Sequence, residues 1–167
     1  MHTSFEGELG DRSAWALEHC SIAMTMDAIG QRSSILILRE AFYGITRFDD
    51  FVRFTQGSEA NVAVRLKHLT GLGLFTKHPY QDHGKRTRYE YVLTDKGSDL
   101  LPALFALLQW GDNYLQPEGT RPLRLEERAT GEPVRIVARG ASGTDLSLND
   151  IAIIMDSNRA SALTKNV

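Results

Sequence analysis

Apolar residues along this 167-residue chain change their spacing three times, and each change marks a different kind of element. The first stretch is helical. From Ala14 to Ile29 the spacing predicts a helix, interrupted near His19-Cys20-Ser21 and stopped by Gly30, a usual residue just past a helix end. Ile35, Leu38 and Phe42 recur at i, i+3 and i+7, which predicts a helix over Ile35–Tyr43, capped by Ser33 or Ser34 and ended by Gly44. Thr46 is expected to cap a third helix whose buried side carries Phe48, Phe51 and Val52. Gln56-Gly57-Ser58 then reads as a turn, with Ser58 capping a fourth helix from Glu59 to Leu72. At about 100° per residue, Val62, Leu66 and Leu69 share one stripe of that helix. Ala60, Asn61, Val64, Lys67 and His68 fall on the opposite face.

The period shortens to two over Leu74–Tyr80 and Thr87–Leu93, which predicts paired strands joined at Asp82-His83-Gly84-Lys85. Thr94 is expected to cap a long fifth helix, Asp95–Tyr114, whose centre L-L-P-A-L-F-A-L-L is apolar on nearly every side. Such a helix must be buried all round, more than one small helical core can provide, so a second subunit is expected to cover it. Pro102 lies too deep for the first turn of so long a helix and should bend it. Beyond Gln116-Pro117-Glu118-Gly119, alternation returns in short runs (Leu123 and Leu125, Val134 and Ile136, Ile151, Ile153 and Met155). These are separated by Gly, Ser and Asp turns. The fold class expected is therefore α+β, mainly helical. The divisions are a polar, flexible N-terminus over 1–12, a compact domain over 13–116, and a small β-rich appendage with a loose tail over 117–167.

Composition narrows the function classes. A hydrophobic share of 42% with 24% charged residues is that of an ordinary soluble globular protein. No apolar run approaches the roughly 20 residues needed to span a bilayer. The N-terminus carries acids and lacks the apolar core of a secretory signal. One cysteine excludes an internal disulfide framework and fits a reducing, cytoplasmic setting. The overall charge of −2 hides a division: residues 31–96 carry +4, between an N-terminal stretch of −4 and a C-terminal stretch of −2. Phosphate contacts need local positive charge, not a basic whole. Two short helices across a tight turn, followed by a hairpin with the basic tip H-G-K-R-T-R, can fit one helix into the major groove and lay the hairpin along phosphates.

The order of several motifs resembles one family. C-S-I-A-M-T-M-D-A-I-G (20–30), I-L-I-L-R-E-A-F-Y-G-I-T-R-F-D-D-F (35–51), R-L-K-H-L-T-G-L-G-L-F (65–75), Y-E-Y-V-L-T-D-K-G (89–97) and L-L-P-A-L-F-A-L-L-Q-W-G-D (100–112) together resemble the HxlR-type winged helix-turn-helix regulators. The resemblance implies a homodimeric bacterial transcription regulator, usually a repressor. It implies the fourth helix in the major groove, the hairpin as wing, and a long C-terminal dimerisation helix. The chain departs from the family at Ser33-Ser34, where members usually carry Trp-Thr. It departs again at Ser58-Glu59-Ala60-Asn61, which is poorer in bases than many relatives. Where some relatives carry zinc-ribbon-like cysteines after the last helix, this chain places Thr130, Arg139 and Ser142. No structural zinc and no cofactor are expected.

Position on these elements assigns roles. Asn61 can offer its amide to adenine and Val64 can pack on a thymine methyl. Ser58 and Ala60 lie at the same helix start. Arg65, Lys67 and His68, further along, are expected on phosphates. Lys85, Arg86 and Arg88 of the wing are expected on phosphates or in the minor groove. Leu101, Leu104, Phe105, Leu108, Trp15 and Trp110 are expected at the dimer interface. The two tryptophans offer, as an alternative, an aromatic wall for a small apolar effector between subunits. Cys20 sits where some family members place a redox-sensing cysteine, beside His19 at a helix start. The commoner fate of such a residue is a small buried apolar side chain.

Other constellations lead away from catalysis. His68, His78 and His83 lie on different elements, without thiolates or a His-x₃-His spacing. Asp49-Asp50 and Glu126-Glu127 are adjacent pairs whose side chains diverge. No nucleophile–base pair or phosphate loop is present, so an enzyme is not expected. The partners expected are double-stranded DNA, a second copy of the chain and a small-molecule effector, with no membrane. The reading from a different class is a winged-helix dimer with weak DNA binding that acts through its appendage as a ligand- or protein-interaction module.

Overall fold

The computed structural model describes residues 4–6, 20–84, 86–117 and 119–154. In chain order the elements are β1 (Ser4–Glu6), α1 (Ser21–Ile29), α2 (Arg32–Phe42), α3 (Phe48–Thr55), α4 (Glu59–Gly71), β2 (Phe75–Tyr80), β3 (Arg88–Leu93), α5 (Asp95–Ser98), α6 (Leu101–Tyr114) and β4 (Ala152–Ile154). This is a winged helix-turn-helix fold, α+β and mainly helical. Trp15, His19 and Lys85 lie outside the described residues.

One small core organises it. Ile37 and Leu38 of α2, Phe51 of α3, and Val62, Leu66 and Leu69 of α4 are almost wholly buried, together with Phe75 at the start of β2. Phe51 meets Phe75 and Tyr91 edge-on, with ring centroids 6.2 and 6.4 Å away. Each such ring or branched chain withdrawn from water contributes about 1.5–3 kcal/mol. The spacing that predicted the inward stripe of α4 therefore predicted the centre of the molecule. The wing is antiparallel and in register from Phe75 opposite Leu93 to Tyr80 opposite Arg88.

Helix starts differ from expectation, for local reasons. Neither Ser33 nor Ser34 caps α2: Gln31, in extended conformation, precedes the helix, and no side chain closes it. Both serines lie inside the first turn, and Ser34 is buried with its Oγ lacking a partner among the described residues. Thr46 is not the cap of α3 either; Arg47 is, without a side-chain bond. The Thr46 carbonyl instead accepts the amide of Tyr91, at 2.8 Å. Arg47 forms an isolated antiparallel bridge with Glu90. Ser58 caps α4 as expected, its Oγ accepting from the Asn61 amide at 3.3 Å.

The expected continuous helix 95–114 is two helices. Thr94 caps α5 through the Gly97 amide, and the chain breaks at Asp99-Leu100 before α6 begins. Pro102 therefore stands in a first turn, where its missing N–H costs nothing, rather than deep inside a helix. The break follows from how tightly α5 is held. Thr94 Oγ1 donates to the Gly73 carbonyl at 2.7 Å and Lys96 Nζ to the Leu72 carbonyl at 2.8 Å. Gly97 lies so close that a Cβ there would stand 2.3 Å from the Leu74 carbonyl oxygen.

Beyond α6 the β character is sparse. Isolated bridges join Glu126 to Pro133 and Arg139 to Asp145, and Ser147 and Asp150 cap one another around a single 3-10 turn. Leu123, Val134 and Val137 remain exposed. Among the described residues no second layer covers their alternating pattern, so it does not develop into a sheet. β4 finds its partner at the other end of the chain: Ser4–Glu6, in the segment expected to be flexible, pair with Ala152–Ile154 in parallel. Gln109 of α6 grips the C-terminal region, donating to the Ile136 carbonyl and accepting the Ile136 amide, both at 3.0 Å.

Candidate nucleic-acid interface

The turn between α3 and α4 is built for close approach. Gln56 takes a left-handed conformation (φ 54°), and a Cβ on Gly57 would stand 3.0 Å from Val62. Thr55 is buried, its hydroxyl donating to the Phe51 carbonyl at 2.7 Å. With one face of α4 locked in the core, the other is presented to solvent. Ala60, Asn61, Val64 and Lys67 are all exposed, Val64 at 56%. Two neighbours behave differently. Arg65 is half-buried, and its Nε is enclosed without a partner among the described residues. His68, expected on a phosphate, has its Nε2 2.9 Å from the Ala28 carbonyl oxygen and so ties α4 to α1.

The wing lies against the start of α3. Arg86 is exposed, and neither it nor Lys67 forms an ion pair among the described residues. Arg88, expected to reach DNA, is exposed and pairs with Asp49 in the first turn of α3. Its pKa is raised further by the hydrogen bond to Asp49, then by that carboxylate's charge and by Tyr80. Arg47 stacks on the Tyr80 ring at 4.6 Å, with Asp82 at 3.9 Å and Glu90 at 3.7 Å. Lys77 lies 4.6 Å from the Tyr89 ring centroid. Sequence reasoning missed Arg47, Asp49 and Tyr80. Alternation along a strand tells which face a side chain takes, not which helix terminus waits opposite.

The expected interface residues divide in a similar way. Leu101, Leu104, Phe105 and Leu108 are half-buried within the chain, and Leu104 packs against the core. Trp110 is exposed and lies beside Tyr114, ring centroids 5.5 Å apart. Leu107, Tyr114 and Leu115 are exposed too, as are Ile22, Met24 and Met26 of α1. Cys20 is half-buried at the N-cap of α1. Among the described residues no cluster of His, Cys, Asp or Glu could hold a metal, and no helix is long and apolar enough to cross a membrane. A hollow of about 960 Å³ opens between Leu108, Gln109 and Asp112 of α6 and Arg121, Leu123 and Val134 of the C-terminal region.

A buried helix-turn-helix core, an exposed second helix and a charged hairpin define a winged-helix DNA-binding regulator. A family model described as HxlR-like helix-turn-helix matches residues 28–119, and the chain belongs to that family of transcriptional regulators. An HTH-type transcriptional regulator of Mycobacterium tuberculosis is 41% identical over 113 residues, spanning 67% of this chain and 70% of that protein. A second, from Synechocystis, is 31% identical over 100 residues, 59% of this chain and 73% of its own. Among solved structures, PA1607, described as a transcription factor, aligns with TM-score 0.74 and 35% identity over 83% of this chain and 96% of its own. PA1374 from Pseudomonas aeruginosa, also described as a transcription factor, aligns with TM-score 0.61 and 32% identity over 89% and 100%. Both structural matches reach past the residues of the family model, so the likeness takes in part of the C-terminal region.

Proposed function

We propose that the chain is a cytoplasmic repressor that binds a pseudo-palindromic operator as a homodimer, with half-sites about 34–36 Å apart. The observation that carries this reading is the division of α4. Its Val62, Leu66 and Leu69 are buried, while Asn61, Val64 and Lys67 stand free on the other face. An exposed valine has no work in the core and suits a thymine methyl. The amide beside it suits adenine, and Lys67 a phosphate. Ser58, Ala60 and Arg65 complete the helix side, with Lys85 and Arg86 on the wing. Repression, rather than activation, rests on the habit of the family.

Support for a dimer comes from the apolar side chains that α1 and α6 leave in water, Ile22, Leu107, Trp110 and Tyr114 among them. Exposed apolar side chains gathered on one face mark an interaction surface, and Leu107, Trp110 and Tyr114 stand at i, i+3 and i+7 on α6. A second reading, a ligand- or protein-interaction module with weak DNA binding, draws on the hollow beside α6. A small-molecule effector seated there would press on the helix that also carries the exposed dimer face.

The deciding experiment is a gel-shift titration on the DNA upstream of the protein's own gene at two salt concentrations. Specific binding is expected, weakening steeply with salt. Lys85→Ala/Arg86→Ala is expected to reduce the slope of log K against log[salt] by about 0.9 for each phosphate no longer neutralised. Binding no tighter than to random DNA would leave the interaction-module reading standing.

A further inference from the structure

The start of α3 is fastened to the wing at Thr46, Arg47 and Asp49. The Tyr91 amide donates to the Thr46 carbonyl. Arg47 lies over Tyr80 between Asp82 and Glu90. Arg88 pairs with Asp49, and Tyr80 lines one hollow with both. That hollow, of about 300 Å³, is lined also by Phe48, Tyr89 and Tyr91. Two features separate the Arg88–Asp49 pair from the groups that hold the fold. Arg88 and Asp49 are 54% and 69% exposed, and exposed pairs add little stability. They also lie outside the apolar core, where the helix-turn-helix meets the hairpin.

We propose that Arg88 is a positioning residue: paired with Asp49, it holds the wing at the angle to α3 and α4 that lets both elements engage one DNA duplex. The role has an electrostatic side. Asp49 and Asp50 in the first turn of α3 favour the helix dipole, yet a bare carboxylate beside the wing would repel phosphate. Arg88 cancels that charge where it stands. To contact DNA itself it would have to leave Asp49 exposed to the same phosphates. The phosphate contacts of the wing then fall to Arg86, with its sequence neighbour Lys85. Deletion of the pair loosens the wing beyond the base that the core and the Tyr91–Thr46 bond still hold, and binding must then spend interaction energy on ordering it.

This inference rests on the DNA-binding reading, and two measurements separate the failure of one from the failure of the other. The first is the salt dependence of operator binding. Arg88→Ala/Asp49→Asn, which removes the pair without leaving a bare carboxylate, is expected to weaken binding about two- to fivefold, the range of an exposed pair, with the slope against log[salt] unchanged. Arg86→Ala is expected to lower the slope by about 0.9. A slope lowered by about 0.9 in that double variant would make Arg88 a phosphate contact and overturn the proposal. The second is amide hydrogen exchange of the free protein, read at Tyr91 and along β3. Asp49→Asn and Arg88→Ala are both expected to raise exchange there about two- to fivefold, the same range. Unchanged exchange in both variants would overturn the latch even if the protein binds DNA. An unmodified protein that fails to bind its operator would remove the functional reading, and the exchange experiment would still decide the latch.

Discussion

Gly97 shows how much a single missing side chain can settle. It sits in the family-like run L-T-D-K-G, whose threonine and lysine bond to the carbonyls of Gly73 and Leu72. The glycine lets the α5 backbone come within one Cβ of Leu74. The close atom is a backbone oxygen at the entry to β2, so it cannot swing aside as a side chain would. Gly97→Ala is expected to destabilise the protein by about 1–3 kcal/mol, the usual cost of overpacking, seen as a lower urea midpoint at constant m-value. The caps make the complementary point. Ser58 was legible because its turn signal Gln56-Gly57 stands directly before it. Thr46 and Ser33 were misleading because a hydroxyl before an apolar run looks like a cap whether or not the backbone extends there. At Thr46 the hairpin takes up the carbonyl through the Tyr91 amide; at Ser33 the helix has already begun.

At the scale of elements, α4 and the wing carry the proposed recognition, and they carry it differently. α4 is rigid because three of its residues are wholly buried, so a change on its outer face should alter contacts and not the fold. Asn61→Ala is expected to cost about 1–3 kcal/mol of discrimination at one base pair, measured by titration against operators varied one position at a time. A uniform loss across all operators would place Asn61 on the backbone instead. The wing is anchored in the core through Phe75, Tyr91 and Leu93 at its base. Its direction beyond that base depends on polar contacts to α3 that no hydrophobic period reveals. The break between α5 and α6 has a similar cause. The Thr94 cap and the apolar centre from Leu100 to Leu108 read as one helix, but the bonds of Thr94 and Lys96 to the α4–β2 turn fix the direction of α5. α6 then restarts at Leu101 to lay Leu104 on the core.

For the whole molecule, the apolar faces of α1 and α6 call for a cover. Leu107 is 57% exposed and Ile22 75%, values that a second subunit is proposed to reduce. Leu107→Glu is expected to shift the protein from dimer to monomer in sedimentation at micromolar concentration and to weaken operator binding with it, because two half-sites would no longer be bound together. A monomer in the unmodified protein would remove the argument for the covered face. The C-terminal region bears on the same helix through Gln109 and Ile136, so changes there have a direct route to α6.

What the sequence determined by itself is everything that follows from burial period and turn chemistry. Four helices and a hairpin in order, the inward stripe Val62, Leu66 and Leu69, the cap at Ser58 and the outward face of α4 all needed only neighbours within about a turn of chain. What tertiary structure decided are the partners of polar and charged groups brought together from far along the chain. His68 meets Ala28, Arg88 meets Asp49, and Ser4–Glu6 find Ala152–Ile154. The physical reason is range. Hydrophobic burial is non-directional and recurs with the backbone's own period, so it is written locally. A hydrogen bond or ion pair needs one particular group within a few ångströms, and only the folded chain says which.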